Sequence, residues 1–204
     1  MRNAKKSKNI PVYAIEENMD CFLLAVSVNF KEETQTDETM IPTPSQSNQI
    51  WKKTFDGAYT KDGAGAGVVL IPPEGENITV SHKLQFEATN NVVEYEALIL
   101  GLEAAKKMGV KCISDFGDSK LVVQQVRQQY QCKHPRMKSY KNYVWDIVDN
   151  FFEAFNITSI PREENSEADA FATTGSTFKP PSVLKIKHEV KIRHRSSIPD
   201  NIKH

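Results

Sequence analysis

Residues 51–71, WKKTFDGAYTKDGAGAGVVLI, constrain the chain more than any other stretch. They read as two strands joined by a glycine-rich turn, with one carboxylate, Asp56, inside the first strand. A packed β-run normally excludes Asp, because a charge among apolar side chains loses hydration that it does not easily replace. Two readings of Asp56 stand side by side. It is a turn or edge residue, since Asp-Gly is a common turn pair, although Asp62-Gly63 is the better hairpin. Alternatively, it belongs to a site. Gly63, Gly65 and Gly67 do not form a dinucleotide loop, because a strand follows them where that loop requires a helix.

The 204 residues suit one domain with appendages or two small ones. Lys plus Arg and Asp plus Glu balance at 26 each, so global charge excludes no partner class. Its distribution is uneven. Residues 1–50 carry 5 basic and 7 acidic groups, residues 51–178 carry 14 and 17, and residues 179–204 carry 7 and 2. The basic tail either touches nucleic acid or is a solvated linker. Cys21, Cys112 and Cys132 show no CxxC spacing, which argues against a disulfide framework or a zinc site and for a reducing compartment. The apolar run CFLLAVSV (21–28) is too short to span a bilayer, and Glu16, Glu17 and Asp20 precede it where a signal peptide would be basic. A soluble intracellular protein, cytoplasmic or nuclear and with no membrane partner, is expected.

Residues 31–50, polar with two prolines, read as a linker, so the first unit is 1–50 and the core begins at Trp51. After the first hairpin, 77–86 reads as a third strand. Residues 92–108 form the clearest helix, with Val92, Tyr95, Leu98, Ile99, Leu102 and Ala105 at three- and four-residue steps and Gly109 as its stop. Then follow a strand (111–117), helices over 119–129 and 137–155, a strand (156–161) and a helix (166–174). The order β-β-β-α-β-α-α-β-α implies a mixed sheet covered by helices, an α/β domain over 51–178 followed by a flexible extension, 179–204.

Each of four carboxylates has an ordinary reading. Glu94 lies three residues after Asn91, at capping-box spacing. Asp118, between a strand and a helix, suits an N-cap. Asp169 lies three residues after Ser166, and Asp56 suits a turn. Taken together they read differently. With the first and fourth strands adjacent, all four can converge at one sheet end. Clustered carboxylates repel, so cations must offset them or some must protonate. Oxygen-only ligands suit Mg²⁺ or Mn²⁺, and two such ions about 4 Å apart would activate water and stabilise the leaving oxygen of a phosphodiester.

FDGA (55–58), TNNVVEYEAL (89–98), GDSKLVV (117–123) and REENSEADAFA (162–172), in this order, resemble type 1 ribonuclease H. They are most similar to the ribonuclease H domain of plant gypsy-class retrotransposon polyproteins. The likeness covers roughly residues 51–178, and the segment IKHEVKIRHRSSIPDNIKH (186–204) resembles the stretch that leads toward integrase. The resemblance implies a five-stranded mixed sheet ordered 3-2-1-4-5 and cleavage of the RNA strand of RNA–DNA hybrids. Asp56, Glu94, Asp118 and Asp169 match the family's catalytic, metal-binding carboxylates, which implies two Mg²⁺ or Mn²⁺ ions. The reverse transcriptase and integrase regions of one polyprotein are the implied partners. Glu96 does not match: two residues along a helix turn it roughly 200° from Glu94.

Asn90 and Asn91 match the family's hybrid-contacting asparagines, whose amides can read 2′-hydroxyls, although Asn91 equally suits a helix cap. Between Arg127 and Trp145 lie Arg127, Lys133, Arg136, Lys138, Lys141 and His134 with no acidic residue, interleaved with Tyr130, Tyr140 and Tyr143. This is a phosphate-contacting patch or a solvated face, and its tyrosines suit stacking or core. Several positions depart from the family pattern. The loop 160–165 lacks the usual His and carries Arg162, a candidate phosphate contact. Lys120 replaces the Gln that commonly follows Asp-Ser, which alters a base-edge contact and makes Lys120 a candidate nucleic-acid contact. Asp115 stands at a usually apolar strand position, where an unpaired buried carboxylate would cost several kcal/mol or protonate. Phe171 and Thr173-Thr174 replace a more aliphatic run. These departures leave a second reading open, a non-catalytic nucleic-acid-binding or tether domain. The proofreading exonucleases, which begin with Asp-x-Glu, fit less well because Ala58 follows Asp56-Gly57.

Overall fold

A computed structural model of the chain describes residues 49–178 and 190–198. The elements in order are β1 (Ile50–Thr60), β2 (Gly63–Ile71), β3 (Ile78–Leu84), α1 (Asn90–Lys107), β4 (Cys112–Gly117), α2 (Lys120–Val126), α3 (Pro135–Phe151) and β5 (Ala154–Ser159). A 3₁₀ turn (Arg162–Asn165), α4 (Ser166–Thr177) and β6 (Val190–Arg193) complete them. The readings of 1–48 as an extension and linker fall outside the described residues.

One mixed sheet holds all six strands in the order β5-β4-β1-β2-β3-β6. The expected order is present, with one strand more than expected. β6, from the segment read as a flexible extension, pairs parallel to β3 with Ser81 opposite Val190 and Leu84 opposite Arg193. β1 is antiparallel to β2 and parallel to β4.

Successive strand residues face opposite sides of a sheet, and the two sides here are covered by different helices. Val68 of β2 meets α1 near Gly101, whereas Gly65 and Gly67 lie directly under α4. A methyl group at Gly67 would come within 2.2 Å of the Ala168 carbonyl oxygen, and one at Gly65 within 2.2 Å of that of Ala172. The alternating glycines of GAGAG are therefore a slot for α4. In β1, Phe55, opposite Val68, shares the α1 side, and Asp56, opposite Gly67, shares the α4 side.

α1 is buried without interruption from Val92 to Leu102, so its pattern is that of a central helix enclosed by the sheet and α3. Tyr95 stacks on Tyr140 of α3 with ring centroids 5.4 Å apart. α3 starts at Pro135, earlier than expected, behind His134, whose Nδ1 accepts from the Arg136 backbone N–H. It stops at Phe151, earlier than the expected 155, and Phe155 and Ile157 are instead the inward residues of β5. The spacing of Phe151 and Phe155 fits a helix face, but strand alternation takes the second ring to the edge of Trp145, 5.9 Å away. α2 is shorter than expected because Gln128 adopts a left-handed conformation, φ 61°.

Asp115 is not unpaired. Its Oδ2 lies 2.9 Å from Nζ of Lys53, its register partner on β1, and both side chains are fully buried. Burial raises the Asp115 carboxyl to about 6 and lowers the Lys53 ammonium, each opposed by the attraction of the other. Thr173 and Thr174 are exposed, so the loss of aliphatic residues there leaves no gap in the core.

Candidate active site

β1 and β4 run parallel in a register that pairs Phe55 with Gly117, the last residue of β4. One step further along, Asp56 stands beside Asp118, where β4 ends while β1 continues to Thr60. The third carboxylate comes from α1. Gly57 lets the first turn of this helix touch β1: a methyl group there would lie 2.6 Å from the Glu94 backbone nitrogen. Asp56, Glu94 and Asp118 each offer an oxygen, and these oxygens all lie within 4.8 Å of one another.

Such crowding is felt in their protonation. Burial, then the neighbouring Asp118, raises Asp56 to about 7. Burial, then Asp56 and Asp118, raises Glu94 to about 9, against an opposing backbone hydrogen bond from Gly57. Oε2 of Glu94 is buried and has no hydrogen-bond partner among the described residues. A buried oxygen lone pair without a donor, among oxygens only, is the donor set a hard divalent cation takes, so these residues fit Mg²⁺ or Mn²⁺.

The capping roles considered for these acids are not the ones the chain adopts. α1 begins at Asn90 behind Thr89, α2 behind Ser119 and α4 behind Asn165, none with a side-chain cap hydrogen bond. Asn91 therefore does not cap α1. Asp169 lies outside the tight group of three. It is half-buried at the rim, where its Oδ1 accepts from the Arg162 guanidinium at 2.9 Å.

Of the remaining candidates, Asn90 and Lys120 are exposed at the starts of α1 and α2, and Asn91 is half-buried. Lys133 is exposed, while Arg136 is half-buried. Tyr130 is exposed, whereas Tyr140 belongs to the core and the Tyr143 hydroxyl donates to Glu103. Glu96 points away from the site. Its carboxylate accepts from the Tyr140 hydroxyl (2.6 Å), the Ser197 backbone N–H (2.7 Å) and the Ser197 hydroxyl (2.7 Å), with Nε of Arg193 at 3.4 Å.

Sequence reasoning missed Asn165. It is buried, and its side-chain amide donates to the Phe55 carbonyl at 2.9 Å and more weakly to Asp118 Oδ1 at 3.5 Å. It thus ties the turn before α4 to the strand residue preceding Asp56. It ends the 3₁₀ turn directly before α4, and no periodicity in the chain singles it out.

Fold and carboxylate cluster together define a domain of the ribonuclease H class. Residues 54–175 match the profile of the reverse transcriptase-like family. The chain belongs to that family, as a ribonuclease H-like domain. Ribonuclease HI of Halobacterium salinarum is 32% identical over 139 residues, which cover 67% of this chain and 69% of that protein. The crystal structure of RNase H1 from the same archaeon has a TM-score of 0.56 at 31% identity, over 62% of this chain and 96% of that one. A crystal structure of LC11-RNase H1 in complex with RNA/DNA hybrid has a TM-score of 0.53 at 28% identity, over 60% and 94%. Among the described residues, no helix is long and apolar enough to cross a membrane.

Proposed function

We propose that this chain is an endonuclease that hydrolyses the RNA strand of RNA–DNA hybrids, with residues 51–178 as its catalytic unit. The observation that carries this reading is the meeting of Asp56, Glu94 and Asp118 within 4.8 Å at the end of β4. The likeness to a ribonuclease HI and to a hybrid-bound RNase H1 supports the choice of substrate.

Asp56, Glu94 and Asp118 would hold the divalent ions, two in number, with Asp169 completing the set from the rim. Mg²⁺ or Mn²⁺ bound there supplies an activated water and offsets charge on the phosphodiester. The protein's own contribution is placement. Gly57 brings α1 onto β1, so Glu94 reaches the sheet end, and Asn165 holds the turn that carries Arg162 and precedes Asp169. Asn90 and Asn91 would read 2′-hydroxyls and Lys120 would reach a base edge, while Arg162, Lys133 and Arg136 would contact phosphates. We further propose, on the motif resemblance, that the domain is part of a plant gypsy-type retroelement polyprotein beside reverse transcriptase and integrase regions, and, on the cysteine usage, that it lies inside the cell.

The test is the purified full chain with Mg²⁺ and a labelled hybrid. Cleavage confined to the RNA strand, lost in Asp118→Asn, is expected, and no cleavage by the wild type would defeat the proposal. A second reading has one observation of its own: Arg162 already occupies Asp169, the fourth acid. On that reading the domain holds hybrid without cutting it, and binding would be salt-sensitive with no turnover.

A further inference from the structure

The three elements that carry the carboxylate cluster are also joined below it, on the α1 side of the sheet. Lys53 lies on β1, three residues before Asp56, and Asp115 on β4, three residues before Asp118. Besides its ion pair with Asp115, Nζ of Lys53 donates to the Leu98 carbonyl oxygen of α1 at 2.9 Å. Leu98 is one helical turn beyond Glu94. A carbonyl oxygen has two lone pairs, so this bond is added to the helix's own. One ammonium thus bridges β1, β4 and α1.

The space for it is specific. A methyl group at Gly101 would lie 2.5 Å from Cδ and 2.9 Å from Nζ of Lys53. Glu94 meets Asp56 and Asp118 only while the first turn of α1 rests on Gly57, and ionisation of more than one of these acids pushes their elements apart. The contact at Gly57 fixes the top of α1, and the Lys53 bridge fixes it about one turn lower.

We infer that Lys53, with Asp115, is a positioning residue for the carboxylate cluster: its bridge across β1, β4 and α1 sets the spacing of Asp56, Glu94 and Asp118 and so their affinity for a divalent cation. This rests on the proposal that the cluster holds Mg²⁺ or Mn²⁺. A buried ion pair replaced by apolar residues of similar volume usually leaves a fold intact, which separates positioning from stability.

The experiment is calorimetric titration of the full-length chain with Mn²⁺, alongside thermal unfolding. Wild type that takes up no Mn²⁺ would remove the metal reading itself, whatever the variants do. With wild-type binding established, Lys53→Met/Asp115→Leu is expected to unfold within a few degrees of wild type yet bind Mn²⁺ at least fivefold more weakly. The Mn²⁺ midpoint of hybrid cleavage should move in parallel while KM for hybrid stays put. Wild-type Mn²⁺ affinity in that variant would overturn the inference. If the double variant fails to fold, Gly101→Ala decides instead. It favours the helix but displaces the Lys53 side chain, and it should weaken Mn²⁺ binding in the same direction; unchanged affinity there overturns the inference equally.

Discussion

A single buried ammonium carries a large share of this protein's electrostatic risk. Removing Lys53 alone leaves Asp115 fully buried with no counter-charge, and breaking one side of such a pair costs about 3–5 kcal/mol. Lys53→Ala is therefore expected to lower the unfolding free energy by that order in urea titrations at pH 7. A loss below about 1 kcal/mol would mean the pair is not formed in solution. Glu94 presents the opposite case. Its carboxyl titrates near 9 in the folded chain against 4.5 unperturbed, so at pH 8 without metal folding has to carry a proton that the unfolded chain releases. Gln mimics the protonated form at no such cost. Metal-free Glu94→Gln should be more stable than wild type at pH 8, by roughly 4–5 kcal/mol, and indistinguishable from it at pH 4. A Gln variant that is less stable at pH 8 would contradict the burial of Glu94.

At the scale of elements, α4 and β6 are the two whose placement rests on few residues. α4 is seated on Gly65 and Gly67 with no room for a side chain beneath it. Gly67→Ala should lift the helix and move Asp169 while leaving the β1–β4 register intact, at a cost of about 1–3 kcal/mol from overpacking. Unchanged thermal stability of that variant would show that α4 can move off Gly67 at no cost. β6 is held by more than its pairing with β3. Its last residue, Arg193, and the segment after it close on Glu96 through the Arg193 guanidinium, the Ser196 hydroxyl and the backbone and hydroxyl of Ser197, and Ile198 is buried. Hydrogen bonds to a charged group contribute about 1.5–3 kcal/mol each, so Arg193→Ala combined with Ser197→Ala should release the segment. The readout is hydrogen exchange: amides of β3 facing β6 should lose protection, and those of β1 should not. Equal protection in both strands would mean that β6 docks without the Glu96 contacts.

For the molecule as a whole, what was legible in the chain followed from short-range pattern, and what was not followed from pairing across the sheet. Asp56, Glu94 and Asp118 could be read through motifs that resemble a known family, although the local pattern around each, taken alone, suggests a turn or a helix cap. Lys53 could not, because a lysine in a strand reads as a solvent-facing residue until its register partner, Asp115, is known. The sixth strand was hidden for the same reason, since Val190–Arg193 has too few residues to signal a strand without the edge of β3. The acids that were legible also set how the whole fold responds to pH and metal. Asp56 and Glu94 titrate near 7 and near 9 in the folded chain, against 3.8 and 4.5 unperturbed. The metal-free folded state therefore binds more protons than the unfolded state between about pH 4 and pH 9, and stability falls as pH rises through that window. That contribution is fully present below about pH 4 and lost as pH passes first the Asp56 and then the Glu94 value. A divalent cation binding the same oxygens competes with those protons and stabilises only the folded state. The rise in melting temperature produced by Mg²⁺ should thus be larger at pH 8 than at pH 5, and chelation should reverse it at pH 8. Asp118→Asn should abolish the difference. A Mg²⁺ effect that is equal at the two pH values, or that survives in Asp118→Asn, would place the bound ion elsewhere than on Asp56, Glu94 and Asp118.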